Sequence, residues 1–555
     1  MTGLAALSEE FFQLKHSADP FSATLLGVSD FDDLVPDPSR AGSAATAARF
    51  ADLERRLAAI PTDGLAETDR INHAVLGRLA WAARSDLEHG LWEASISAEG
   101  YAAPQSMMFM AVPTAPLRDA DDVARYERRL AALPAFLDAL LVRYRSAVAD
   151  GRPSTRAGVG QALDQLDGHL ATGLAVFRNV TLPAGTSRTR IDELVTDAVR
   201  PALRRLRAGI ERDVLPSARD DDRVGIRFVD GGVDGYRAAV RRHTTTDLTP
   251  DEIHQIGLDL LADLRAEWAE LGGKVLGTED VPEIHTRLRE DPALRFQDSA
   301  QIVTVVTDAL RRAEAARDDW FPPYRIADCV IEEIDPVEAG NAALAHYRPP
   351  ADARPGAHCV LTTRPGERYV YEYEALAFHE STPGHHLQIA SAQTLTELPR
   401  YRRFLDAEVS GYVEGWGLYS ERLADEMGLY TSDTTRLGML SFDALRACRL
   451  VVDTGMHHLG WSRQQARQFM WDNTATTWAN VRNEIDRYIS FPGQALAYAI
   501  GRREIRRLRA LAEGRLGAAF DIRAFHGTIL GHAAVPLDVL DAIVTHWLAR
   551  QRSLQ

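Results

Sequence analysis

The stretch TPDEIHQIGLDLLADLRAEWAELGG, which begins at Thr249, can be little other than a helix. Thr249 is a natural N-cap, Pro250 suits the first turn, and Glu252 completes the pattern of a capping box. Ile253, Ile256, Leu260, Leu264, Trp268 and Leu271 recur at three- and four-residue spacing, and Gly272 is the expected stop. Comparable patterns run over 43–60, 66–92, 120–149, 190–212, 299–316, 372–393, 402–427, 434–459, 462–472 and 480–512. A chain written this way folds mainly as α-helix. Only between 321 and 365 do Pro and Gly punctuate short β-prone runs, CVIEEI, ALAHY and HCVLTT. These predict a small sheet of three or so strands.

The loop-like segment PSARDDDRVGIRFVDGGVDG, 216–235, suggests a soft boundary between a helical half, 1–235, and a second half, 236–555. Net charge is −16, which argues against a broadly basic nucleic-acid surface. Cys329, Cys359 and Cys448 are far apart, so neither a disulfide framework nor a thiolate metal site is expected. The N-terminal residues lack the basic start of a signal peptide, and no apolar run is long enough to span a bilayer. These features suggest a cytoplasmic protein without a membrane partner. There is no Walker A motif, nor a G-x-G-x-x-G in strand–turn–helix context.

Residues 377–388, AFHESTPGHHLQ, carry the chemistry. In H-E-x-x-H the two histidines share one helical face and a metal, with the glutamate as base. Here His379 and Glu380 are followed by Pro383 where the second histidine would stand, and His385 and His386 come next. On a straight helix, six residues give about 600° of rotation and about 9 Å of rise, so His379 and His385 could not meet. Pro383 cannot donate to the carbonyl of His379 and must break or kink the helix, and Gly384 permits the turn. The break can fold the next histidine back. His385 needs a smaller distortion than His386, and both remain candidates for the second ligand.

A third ligand is expected from DAEVSGYVEGWGLYSERL, where Glu408, Glu414 and Glu421 are candidates. Glu414 is favoured. Gly411, Gly415 and Gly417 flank it, at a helix-propensity cost of about 1 kcal/mol each that is tolerated where another backbone comes close.

HESTPGHHLQ followed by YVEGWGLYSERL resembles bacterial domain-of-unknown-function family 885, as do VVDTGMHHLGWS (451–462) and RYISFPGQALAYAIG (487–501). The resemblance implies a zinc-dependent, peptidase-like protein related to helical gluzincins of the neurolysin and carboxypeptidase Taq kind. Such a fold would be mainly α, with a small sheet next to the active-site helix and a deep cleft. It implies His379, His385 and Glu414 as zinc ligands and Glu380 as general base. Helical gluzincins take an oxyanion donor from a later helix, for which His457, Tyr488 and Tyr498 are candidates. Arg487 could grip a substrate carboxylate or pair with Glu484 or Asp486. The leading expectation is a zinc metallopeptidase that cleaves short peptides, as a monomer or homodimer. The alternatives are a zinc hydrolase of another amide or ester, and a helical binding scaffold with an inactive metal site.

Overall fold

A computed structural model describes residues 3–334, 343–350, 354–405 and 407–553. The architecture is mainly α-helical with one three-stranded sheet. Two compact units make up the chain. The first takes Met1–Ala238, Met456–Gln464 and Asp486–Pro492; the second takes Ala239–Gly455, Gln465–Ile485 and Gly493–Gln555. The expected break at 235/236 lies close to the first division, but two short later segments belong to the first unit.

In the first unit the helix Ala120–Ala149 presents Tyr126, Leu130, Leu133 and Phe136 to a continuous apolar core. Arg129 is fully buried there. It stands 3.6 Å from Asp32 and donates to the carbonyls of Phe31 and Leu34, so a buried charge is compensated.

The second unit contains the Pro250–Leu276 helix, which starts with the expected capping box. It does not stop at Gly272. That glycine is buried, and a side chain on it would collide with Ile284, so it serves packing. The stop is Gly277, in the left-handed conformation at φ 69° that glycine adopts without strain. The inward seam is Ile253, Gly257, Leu261, Leu264, Trp268 and Leu271, rather than one running through Ile256 and Leu260.

The sheet consists of β1 (Val330–Glu333), β2 (Ala345–Arg348) and β3 (Ala357–Val360), in the order β1-β3-β2. β1 is parallel to β3, with Ile331 opposite His358, and β2 is antiparallel to it, with Tyr347 opposite His358. The centre is β3, all four of whose residues are buried.

Three expected helices are shorter or broken. The 372–393 segment is helical over Tyr373–Glu380, interrupted, and wound as a π-helix over His386–Ala390. The 402–427 segment becomes a long helix only at Ser410, running to Glu426. The 480–512 segment divides into Trp478–Ser490 and Ala497–Leu516 around Pro492-Gly493, with Gly493 at φ 83°. Helices Gly3–Ala18, Arg156–Ala171 and Leu537–Ser553 lie outside the expected segments.

Candidate metal centre

The Tyr373–Glu380 helix is buried along its whole length and ends where the sequence predicts a break. Ser381 leaves helical geometry at φ −103°, ψ −130°. Pro383 then turns the chain, and Gly384 packs against the carbonyls of Phe378 and His379, where any side chain would collide. The interrupted backbone finds partners on the neighbouring Ser410–Glu426 helix. Trp416 Nε1 donates to the Pro383 carbonyl at 2.9 Å, and Ser420 Oγ donates to the Phe378 carbonyl at 2.9 Å. Buried backbone groups freed by a break need such partners.

The break brings His385 beside His379. Their ring centroids are 4.7 Å apart with planes at 89°. Glu414 joins them from the Ser410–Glu426 helix, with Oε2 3.6 Å from His379 Nε2 and 3.5 Å from His385 Nε2. All three ligand atoms lie within 4.8 Å of one another. Good hydrogen bonds to nitrogen are shorter. Ligands at about 2.0–2.1 Å from one tetrahedral ion stand about 3.4 Å apart. These residues therefore fit a divalent ion better than they fit each other.

His386 faces elsewhere. Its Nδ1 meets Tyr347 Oη at 3.0 Å and its Nε2 meets the Ala327 carbonyl at 3.0 Å, so both nitrogens are committed to the sheet side. Of the two histidines left open by the sequence, only His385 joins the cluster.

Glycine makes the approach of the helices possible. Gly415 lies against the backbone of Gly501 on the Ala497–Leu516 helix, and Gly501 meets the Gly411 carbonyl, so two helix backbones touch. Gly417 faces the imidazoles. A Cβ there would stand 2.7 Å from His379 Cε1 and Nε2 and 3.0 Å from His385 Cε1. The same crossing delivers Tyr498, whose ring lies parallel to His379 within 22° at 6.3 Å. The Arg449 guanidinium sits 4.3 Å from the Tyr498 ring centre and pairs with Glu484 at 2.7 Å.

Behind His379 is Glu421, which the sequence suggested only as a possible ligand. It is fully buried and accepts from His379 Nδ1 at 2.8 Å. Arg446 lies 3.4 Å beyond, on the same carboxylate oxygen. Glu421 follows Glu414 by seven residues, two helical turns, which keeps both on one face. Spacing could have paired them; it could not tell that Glu414 faces the two Nε2 atoms and Glu421 faces Nδ1.

Charge follows this arrangement. Burial disfavours protonated His379, but Glu414 and Glu421 outweigh it and raise its pKa to about 9. Burial pushes the Glu414 carboxyl up, yet the two imidazoles hold it well below the ordinary carboxylate range. Glu380, the last residue of its helix, is 8% exposed. It acts electrostatically on His346 of β2, whose pKa burial nevertheless lowers.

The other expected residues belong to the first unit. His457 Nδ1 accepts from the Ile226 N–H at 3.0 Å, and Nε2 donates to the Tyr488 carbonyl at 2.9 Å. Burial lowers its pKa to about 4. Both nitrogens hold backbone, which leaves none to donate to an oxyanion. Tyr488 is 1% exposed. Arg487 stands 3.9 Å from Glu99; Glu484 pairs with Arg449, and Asp486 pairs with Arg463.

No described helix is long and apolar enough to cross a membrane. The three cysteines are unpaired. Residues 20–544 match the model of a family described as "Bacterial protein of unknown function (DUF885)", and the chain belongs to that family. No curated protein matches it significantly. Among solved structures it is similar to a "putative lipoprotein" from Colwellia psychrerythraea, with 26% identity, TM-score 0.91 and 99% of each chain covered. A "putative lipoprotein of unknown function" from Shewanella oneidensis shares the fold, with 17% identity, TM-score 0.74, and 98% of this chain and 99% of that one covered.

Proposed function

We propose that this DUF885 member is a zinc-dependent hydrolase, and specifically a metallopeptidase acting on short peptides. One observation carries the reading. A carboxylate oxygen stands 3.5–3.6 Å from each of two imidazole nitrogens, and all three ligand atoms lie within 4.8 Å of one another, across a helix break that closes the spacing of a variant H-E-x-x-P-G-H motif. Two histidines and a glutamate are a ligand set for catalytic zinc. The ion, when bound, supplies Lewis acidity toward a substrate carbonyl and acidifies water at its open position.

The chain's own residues do the rest. Glu421 accepts a hydrogen bond from His379 Nδ1–H and so fixes the tautomer that turns the Nε2 lone pair inward. Arg446 steadies that carboxylate from behind. Glu380 adjoins a ligand and serves as the base that accepts a proton from water and returns it to the leaving amine. Tyr498, beside His379, is the assigned donor to the developing oxyanion. The proposed setting is the cytoplasm, in keeping with three unpaired cysteines.

The test is digestion of a peptide library, read by mass spectrometry, with purified protein as isolated, after chelation, and after zinc is restored. Cleavage lost on chelation and regained with zinc is expected. If no peptide is cut but an ester or non-peptide amide is, the metal reading stands and the peptidase reading falls. If neither is cut with a full equivalent of zinc bound, the protein is a scaffold.

A further inference from the structure

A cavity of about 90 Å³ lies in the second unit, bounded by Arg368, Glu372, Thr477, Asn480 and Leu361. About 10–15 Å³ admits one water, so this space takes several waters or a small organic molecule. It shares no residue with the metal centre.

Its walls carry a carboxyl group and a guanidinium that do not pair with each other. Glu372 is 3% exposed. It occupies the N-cap position of the Tyr373–Glu380 helix, yet its side chain makes no capping hydrogen bond. Among the described residues its carboxyl group has no hydrogen-bond or ion-pair partner. Arg368 is half-buried, and its one hydrogen bond among the described residues runs from Nε to the Thr363 carbonyl at 3.4 Å. The terminal nitrogens of its guanidinium therefore have no described partner. Buried polar groups without partners are rare and call for an explanation.

An acid and a guanidinium that share a cavity without pairing suit a ligand with both complements. We propose that the cavity binds a small zwitterionic α-amino acid, its ammonium on Glu372 and its carboxylate on the Arg368 fork. A planar guanidinium is suited to bidentate contact with a carboxylate. Asn480 Nδ2 donates to Thr476 Oγ1 at 2.9 Å, which leaves its carbonyl oxygen as a further acceptor for the ammonium. Burial raises the Glu372 carboxyl to about 8, against the pull of Arg295, Arg368 and Arg446, so an arriving ammonium provides the charge that ionised Glu372 lacks. The volume admits glycine, alanine or serine.

The test is calorimetric titration of the full chain with L-alanine, glycine and L-serine, and with acetate and methylamine as half-ligands. Saturable one-to-one binding of an amino acid is expected, with each half-ligand about tenfold weaker or worse. Arg368→Gln and Glu372→Gln should each weaken binding by about tenfold or more, and circular dichroism checks their folding. Should Glu372→Gln misfold, the half-exposed Arg368→Gln carries the comparison. His379→Ala, lacking a metal ligand, should bind like the parent, which separates this site from the metal reading. The inference is overturned if all three amino acids fail to bind, if acetate binds as tightly as alanine, or if both variants bind unchanged.

Discussion

Gly417→Ala adds one methyl group where the structure leaves no room. The new Cβ would stand 2.7 Å from His379 Cε1 and Nε2 and 3.0 Å from His385 Cε1. Carbon contacts settle at about 3.5–4.0 Å, so the His379 ring must yield by about 1 Å. The backbone offers no escape, because Gly417 lies inside a buried helix held to the break through Trp416 and Ser420. Fold stability should change little. Glycine to alanine in a helix gains about 1 kcal/mol, and overpacking costs about 1–3 kcal/mol. Metal affinity should change much more, since metal–ligand distances tolerate only about 0.2 Å. A loss of about 10–100-fold in zinc affinity is expected, the scale on which disturbed supporting residues act at metal sites. Competition against a chromophoric chelator measures the affinity, and thermal melting measures the fold. Gly514→Ala is the control, because nothing lies within 4 Å of a Cβ there. Parental zinc affinity in Gly417→Ala would refute the assigned geometry of the imidazoles.

Three further outcomes follow from the same site. Glu380→Gln should keep its zinc and lose turnover by about 10²–10⁴-fold, measured with whichever substrate the library yields; loss of metal instead would make Glu380 a ligand. Replacing Pro383-Gly384 with Ala-Ala favours straight helix and places a side chain against the Phe378 and His379 carbonyls, so zinc binding measured by calorimetry should disappear. In metal-free protein, the His379 pKa of about 9 lies above its ordinary value of about 6.5. That contribution, about 3 kcal/mol, is fully present below pH ~6.5 and is lost as pH rises toward ~9. Denaturant melts of metal-free parent and His379→Gln should therefore converge over that range, and a constant gap would contradict the assignment.

The sequence reveals local rules well and long-range partners poorly. The Thr249 capping box and the break at Pro383-Gly384 follow from residue chemistry within a few positions, and the structure has both. Gly272 shows the limit. Whether a glycine ends a helix or admits a neighbour depends on Ile284, which helical periodicity cannot place. His457 is similar: its nitrogens are taken by Ile226, 231 residues away in sequence, and by Tyr488. The order β1-β3-β2 puts the last strand in the middle, a pairing that three short β-prone runs do not encode locally. At the candidate metal centre the glycines around Glu414 signal close approach, but only the fold distinguishes Gly415, which meets Gly501, from Gly417, which meets the imidazoles.

The central claim is that His379, His385 and Glu414 hold one divalent ion. Elemental analysis of purified parent, His379→Ala and Glu414→Ala tests it most directly. The parent should carry about one zinc per chain, and each variant should lose most of it, because three protein ligands are the minimum for a tight catalytic site. A parent that stays metal-free when zinc is supplied, or variants that each keep a full equivalent, would contradict the account.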